Sequence, residues 1–164
     1  MITENEQKVY DVLDKLNIPY TKYEHEAVYT IEELDKQDIS FEGKHCKNLF
    51  VRNRKGDIHY LIVVEESKKV DLKKLSEQIG STPLSFASEE RLYKHLGLKP
   101  GSVTPMGIIN NSDKKVRVVI DKDLMGLDSI GVHPNVNTAT IALSYDSLQK
   151  FLKWCENKVQ YVEI

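Results

Sequence analysis

A chain of 164 residues and 18.8 kDa exposes about 27,000 Å² unfolded and about 8,300 Å² as a folded monomer, enough burial for one self-sufficient domain. Forty per cent apolar residues against 29% charged excludes disorder as the main state. The net charge of −2, from 23 Lys and Arg against 25 Asp and Glu, excludes a wholesale polycation that coats nucleic acid and leaves any RNA contact to a local patch.

Cys46 and Cys155 are too few for the disulfide framework of a small secreted domain, and the start, Met1-Ile-Thr-Glu-Asn-Glu6, is acidic where a signal peptide is basic and then apolar. No run approaches the length needed to span a bilayer. The expectation is a cytoplasmic protein in a reducing compartment, neither exported nor embedded in a membrane.

In chain order, Thr3 and Glu6 have capping-box spacing, and Val9, Val12, Leu13 and Leu16 draw one apolar stripe, which predicts a first helix ended by Pro19. Tyr20 to His25 predicts a short strand, and Thr30 and Glu33 repeat the capping spacing ahead of Ile31 and Leu34 for a short second helix. Asn48 to Arg52 and Ile58 to Val64 flank a turn containing Gly56 and predict a β-hairpin. Asp71 and Gly80 bracket a helix with Leu72, Leu75 and Ile79 inward, and Ser88 and Gly97 bracket another carrying Leu92 and Leu96.

Pro100, Gly101, Pro105 and Gly107 predict a shaped loop. Ile108-Ile109 and Val116 to Ile120, around Asn110-Asn-Ser-Asp-Lys114, read as a second hairpin. Strands follow at Ser129 to Val132 and Thr138 to Leu143, then a helix from Tyr145 to Asn157 with Leu148, Phe151, Leu152 and Cys155 inward, and a closing strand at Val159 to Val162. Strands with inserted helices, without regular βαβ alternation, predict an α+β fold: a single domain over 1–164 with a mixed, largely antiparallel sheet and surrounding helices.

Neither a dinucleotide fingerprint nor a phosphate-binding P-loop is present, which removes nucleotide-cofactor chemistry. Among His25, His45, His59, His95 and His133 no pair has metalloprotease spacing, and the cysteines form no C-x-x-C, so no metal and no cofactor are expected. Cys46 beside His45 invites a thiol-nucleophile reading with His133 as a distant base. Neighbours on a strand point to opposite faces, however, and a single Cys is more often a small core residue.

Lys47-Asn48 opens an apolar strand, where a lysine also serves simply to discourage edge pairing. Gly101-Ser-Val-Thr-Pro105 is a turn whose glycine also lets backbone N–H groups approach a ligand oxygen. In Gly131-Val-His-Pro-Asn135, Pro134 forces His133 into extended geometry, and Asn135, Asn137 and Thr138 add short polar groups suited to a pocket wall or a structural turn.

Taken together and in order, Lys47-Asn-Leu-Phe50, Gly101-Ser-Val-Thr-Pro105 and Gly131-Val-His-Pro-Asn-Val-Asn-Thr-Ala-Thr140 resemble the YbaK/ProX family of aminoacyl-tRNA deacylases, related to the editing domain of bacterial prolyl-tRNA synthetases. The resemblance runs from the helix before Tyr20 to the last helix. It implies a freestanding domain that hydrolyses the ester of mischarged proline tRNA, with Lys47 as the signature catalytic residue. Gly101 and Pro105 match the family's G-x-x-x-P loop. The His-Pro-Asn element is similar to the ProXp-ala/PrdX branch, which implies removal of alanine.

On that reading, backbone N–H groups around Gly101 stabilise the oxyanion, Ser102 and Pro105 bind the substrate beside them, and Lys47 acts as an ammonium rather than a base. His133 orients the ribose or the amino group, and Asn48 contacts the aminoacyl moiety. Gly131, Asn135 and Thr138 line the pocket, together with Tyr23 or, in another register, Tyr20. The vicinal ribose hydroxyl assists in the family, so no Ser-His-Asp set is needed. The implied partners are the acceptor end of proline tRNA and, through the family relation, prolyl-tRNA synthetase. Arg52-Asn-Arg-Lys55, a few positions from Lys47, is the preferred tRNA patch over Lys68-Lys69, Lys73-Lys74 and Lys114-Lys115-x-Arg117. The alternatives are a deacylase for cysteinyl-tRNA or another small aminoacyl-tRNA, and a noncatalytic regulator that binds tRNA or an amino acid.

Overall fold

The computed structural model describes residues 2–27 and 43–164; the helix expected around Thr30 to Leu34 lies outside the described residues. Helix α1 (Glu4–Lys15) starts where Thr3 Oγ1 accepts the Glu6 N–H at 3.1 Å. Glu6 does not close the box on Thr3; its carboxylate takes the Tyr10 hydroxyl at 2.6 Å. The helix ends before Pro19: Asn17 turns left-handed at φ 57°, and Ile18 N–H and Asn17 N–H reach back to the carbonyls of Leu13 and Asp14. That double reach-back satisfies carbonyls the helix would otherwise leave open, and Asn tolerates the left-handed backbone.

Strand β1 (Thr21–Glu24) is followed, within the described residues, by β2 (Lys44–Arg52) and β3 (His59–Glu65), the expected hairpin, with Gly56 at φ 77° in its turn. β2 begins four residues earlier than predicted, so Lys47 stands level with Val64 inside the strand rather than opening it. Helix α2 (Leu72–Ile79) runs between Asp71, whose carboxylate accepts the Lys73 and Lys74 N–H groups, and left-handed Gly80. A two-residue strand β4 (Ser85–Phe86), unread in the sequence, pairs with the end of β2. Helix α3 (Glu89–Leu96) lies between Ser88 and Gly97 as predicted.

Ile108 and Ile109 are not a strand: Pro105–Asn110 is a 3₁₀ helix begun by Thr104, whose hydroxyl accepts the Met106 N–H, with Pro105 in the first position. Proline there forfeits an N–H that the helix start leaves unbonded anyway, and this local signal outweighs the β-branched pair. The second hairpin therefore does not form. β5 (Arg117–Asp121) instead lies parallel to both β3 and β8 (Val159–Val162). β6 (Ile130–Val132) and β7 (Ala139–Leu143) match expectation, and helix α4 (Tyr145–Cys155) stops at left-handed Glu156, two residues short of the predicted end.

Among the described residues the strands run β1-β7-β6-β2-β3-β5-β8, with β4 beside β2, in a mixed sheet. One face carries the larger core: Leu13 of α1, Leu96 of α3, Met106, and Phe151 of α4 pack on Phe50, Leu61 and Ile120. The other face is covered by Leu75 of α2 against Val51, Tyr60, Ile62 and Val119. Each such side chain contributes on the order of 1.5–3 kcal/mol when fully buried.

Candidate active site

Strand alternation decides which predicted residues meet. In β2, Cys46 and Phe50 belong to the larger core, so Asn48 shares their face and Lys47 points to the other. The Asn48 amide sits 4.0 Å from Cys46 Sγ, and its buried Oδ1 has no partner among the described residues. Asn48 and Lys47 are therefore not two walls of one sheet face.

His45 pairs with Gly131 in the parallel β2–β6 contact, so Lys47, two residues beyond His45, shares the face of Gly131, while His133 follows the end of β6 within electrostatic reach of His25 and His45. Gly131 is level with Ala142, and Thr140 with Tyr23, so the small residues Gly131, Ala142 and Thr140 floor this face beside Tyr23. Tyr20 goes elsewhere, stacking on Tyr10 at 5.7 Å against the larger core, so of the two tyrosines Tyr23 is the one on this face.

His133 Nδ1 lies 3.2 Å from the Ala139 carbonyl, and since a carbonyl only accepts, Nδ1 carries the hydrogen and Nε2 is bare in the neutral ring. Burial holds the imidazole pKa below its ordinary value; the Ala139 contact opposes this, and nearby His25 and His45 reinforce it. His25 donates from Nδ1 to the Glu26 carbonyl at 2.8 Å and accepts the Thr140 hydroxyl at Nε2 at 2.9 Å. Half-buried Lys47 forms no ion pair with any described carboxylate.

The Gly101 loop is tied to this face by a residue the sequence reading passed over. Fully buried Thr104 donates its hydroxyl to the His133 carbonyl at 2.6 Å. A partner 29 positions away leaves no local trace; the one legible signal was a threonine before proline at a helix start. Gly101 adopts φ 88°, which favours glycine, and the Ser102 N–H closes a turn on the Lys99 carbonyl at 3.0 Å. Among the described residues the N–H groups of Gly101 and Val103 have no backbone acceptor, whereas that of Ser102 is used in the turn. Pro105 is buried in the 3₁₀ helix.

Asn135 is not brought to the face. It is left-handed at φ 64°, and its amide donates to the Asn5 side chain and carbonyl at 3.1 and 3.3 Å, anchoring the turn to α1. Thr138 is exposed and contributes its carbonyl to the His25 N–H at 3.0 Å. Buried Cys46 has its thiol pushed up to about 12 by desolvation, unlike an activated nucleophile. No three metal-ligating side chains among the described residues are grouped to hold an ion, and no described helix is long and apolar enough to cross a membrane.

Residues 25–151 match the family model described as "Aminoacyl-tRNA editing domain". The chain is 48% identical over 164 residues, all of both chains, to the prolyl-tRNA editing protein ProX of Acetoanaerobium sticklandii. It is 31% identical over 149 residues, 90% of this chain and 80% of the other, to the prolyl-tRNA synthetase associated domain-containing protein 1 of Danio rerio. In fold it matches a crystal structure described as a candidate trans-editing enzyme for prolyl tRNA synthetase, with TM-score 0.75 and 20% identity over 100% of this chain and 99% of that one. The chain thus belongs to the aminoacyl-tRNA editing domain family.

Proposed function

We propose that this protein is a deacylase that removes alanine from mischarged proline tRNA in trans, without a resident metal. The observation that carries the reading is the placement of Lys47, without an ion pair among the described residues, on the sheet face floored by Gly131, Ala142 and Thr140 in an editing-family chain, with His133 just past the end of β6. Water attacks the ester carbonyl carbon, the carbonyl oxygen gains charge, and the bond to the terminal ribose oxygen breaks, releasing alanine and a ribose hydroxyl. The Lys47 ammonium and the N–H groups of Gly101 and Val103 stabilise the oxyanion, the kind of preorganised donor set that lowers such barriers most. His133, neutral with Nε2 bare, accepts a hydrogen bond from the ribose hydroxyl or the amino group and so positions the ester.

The small floor residues favour a methyl side chain. Attraction to one or two extra carbons discriminates by only about 1–3 kcal/mol, so exclusion of proline depends on rigid walls. Tyr23 and His133 fit that task, and Thr104 holds the second of them. Prolyl-tRNA synthetase is the proposed upstream partner, as the source of the mischarged tRNA.

The test is single-turnover release of labelled amino acid from alanyl-, cysteinyl- and prolyl-tRNA sharing one proline tRNA body, with and without chelator. Alanine should leave fastest and chelator should have no effect. Faster cysteine release moves the protein to the cysteine specificity, and binding without release makes it a noncatalytic regulator.

A further inference from the structure

At the turn end of the β2–β3 hairpin, two adjoining clefts of about 490 and 230 Å³ share Asp57 and Lys115; the larger lies on the face of His59 and Arg52, opposite Lys47, and the smaller reaches round to Arg117, level with Tyr60 on the other face. Arg91 and Lys94 line the larger, Arg117 and Lys158 the smaller. Among the described residues none of these four cations, nor Lys115, forms an ion pair. Two guanidinium groups also converge here: a side chain at Gly56 would lie 2.9 Å from Arg52 Nη1 and 3.2 Å from Arg91 Nη1. Arg91 is held in place, donating from Nη1 to the Gly56 carbonyl at 2.8 Å and to His59 Nε2 at 3.0 Å.

Three carboxylates, Asp57, Glu90 and Asp113, share the larger cleft and offset part of this charge, but the two clefts set Arg91, Lys94, Lys115, Arg117 and Lys158 against them, with Arg52 close by. Asp57 is occupied by the Asn53 amide at 2.8 Å, Asp113 accepts the Lys115 backbone N–H at 3.0 Å, and Glu90 stands on the rim. The cations outnumber the carboxylates, and the excess positive charge repels itself unless an anion joins it. The cations are strung over the hairpin, α3, β5 and the approach to β8, along two half-open clefts, rather than gathered around one enclosed pocket. That arrangement suits a chain of phosphates better than a single compact anion.

We propose that this basic groove holds the phosphodiester backbone of RNA, a second contact on the tRNA away from the residues that meet its acylated end. Five strand residues, about 17 Å, separate Lys47 from Arg52, so the terminal nucleotide at Lys47 does not fill the groove. The inference rests on the deacylase reading for the identity of the RNA. It also amends the preferred patch: Arg52 belongs to this groove and, by alternation, not to the Lys47 face.

The test uses Lys94→Glu/Lys115→Glu, both exposed and without an ion pair among the described residues, beside Lys15→Glu/Lys153→Glu as an equal charge change on α1 and α4. For alanyl-tRNA the first pair should raise KM at least about tenfold, leave kcat unchanged, and reduce the slope of log KM against log salt by about 2. Its KM for a short acylated oligonucleotide that ends in the same 3′ sequence should match wild type, and the control pair should leave both substrates unaffected. Equal KM and salt slope in wild type and Lys94→Glu/Lys115→Glu overturn the groove. So does tight binding of ATP or pyrophosphate at the groove with no loss of tRNA affinity in that variant. Should the wild type release no alanine, the deacylase reading fails by itself, and binding of uncharged tRNA still decides the groove by the same comparison.

Discussion

Lys47 projects from mid-strand onto the face floored by Gly131, Ala142 and Thr140, and its charge has no partner among the described residues. Lys47→Ala should lower single-turnover alanine release by about 10²–10³-fold, the cost of losing one oxyanion donor. Its melting temperature should stay near wild type, because a half-exposed lysine without an ion pair adds little stability. Near-normal release by the folded variant would remove Lys47 from the chemistry. Thr104 acts through its neighbour. Thr104→Val leaves the His133 carbonyl without this donor, at a cost of about 1–3 kcal/mol, and should reduce kcat more than it raises KM. Thr104→Ser should restore both; a serine variant as impaired as valine would show that the hydroxyl bond to His133 does not carry the effect by itself. The alternation that separates His45 from Cys46 equally separates Lys47 from Asn48, so that division was legible in the sequence. The Thr104 contact was not, because nothing near residue 104 points to residue 133.

At the scale of elements, what was readable was local chemistry. Thr3, Asp71 and Ser88 begin helices with their own side-chain oxygens, and Gly80 and Gly97 end them in left-handed backbone. The misreadings arose where two local signals competed or where pairing is distant. Pro19 drew attention from Asn17, Ile108-Ile109 from Thr104-Pro105, and the parallel neighbours of β5 are chosen by packing across the whole chain. Asn17 is exposed and left-handed, so Asn17→Gly should be neutral or stabilising by up to about 1 kcal/mol, whereas Asn17→Val should cost about 1–2 kcal/mol. Urea unfolding of the two variants checks this. Equal stabilities would mean that α1 frays before that turn matters.

Across the whole molecule, pH should act through the histidines of the hairpin end. Burial, then neighbouring His95, Arg91, Arg52 and Lys94, push His59 down to about 4, and burial with the Lys94 and Arg91 charges lowers His95 despite Asp113. Burial lowers His133 as well. Below about pH 6.5 the unfolded chain takes up protons that the native rings refuse, so stability should be level above pH 7 and fall between about 6.5 and 4. His59 alone accounts for on the order of 3 kcal/mol over that window. Urea unfolding at a series of pH values should show the decline, and His59→Gln should flatten it. A profile unchanged by that substitution would place the proton uptake elsewhere.

The two thiols have a use that follows from their burial. Cys46 lies mid-sheet and Cys155 at the last turn of α4, and both are pushed up to about 12 by desolvation. Neither is reactive until the chain opens around it, so alkylation becomes a clock for two separate openings in one protein. A small probe should label Cys155 first if the end of α4 lifts before the sheet parts. Equal labelling rates at the two positions would mean that helix and sheet open together.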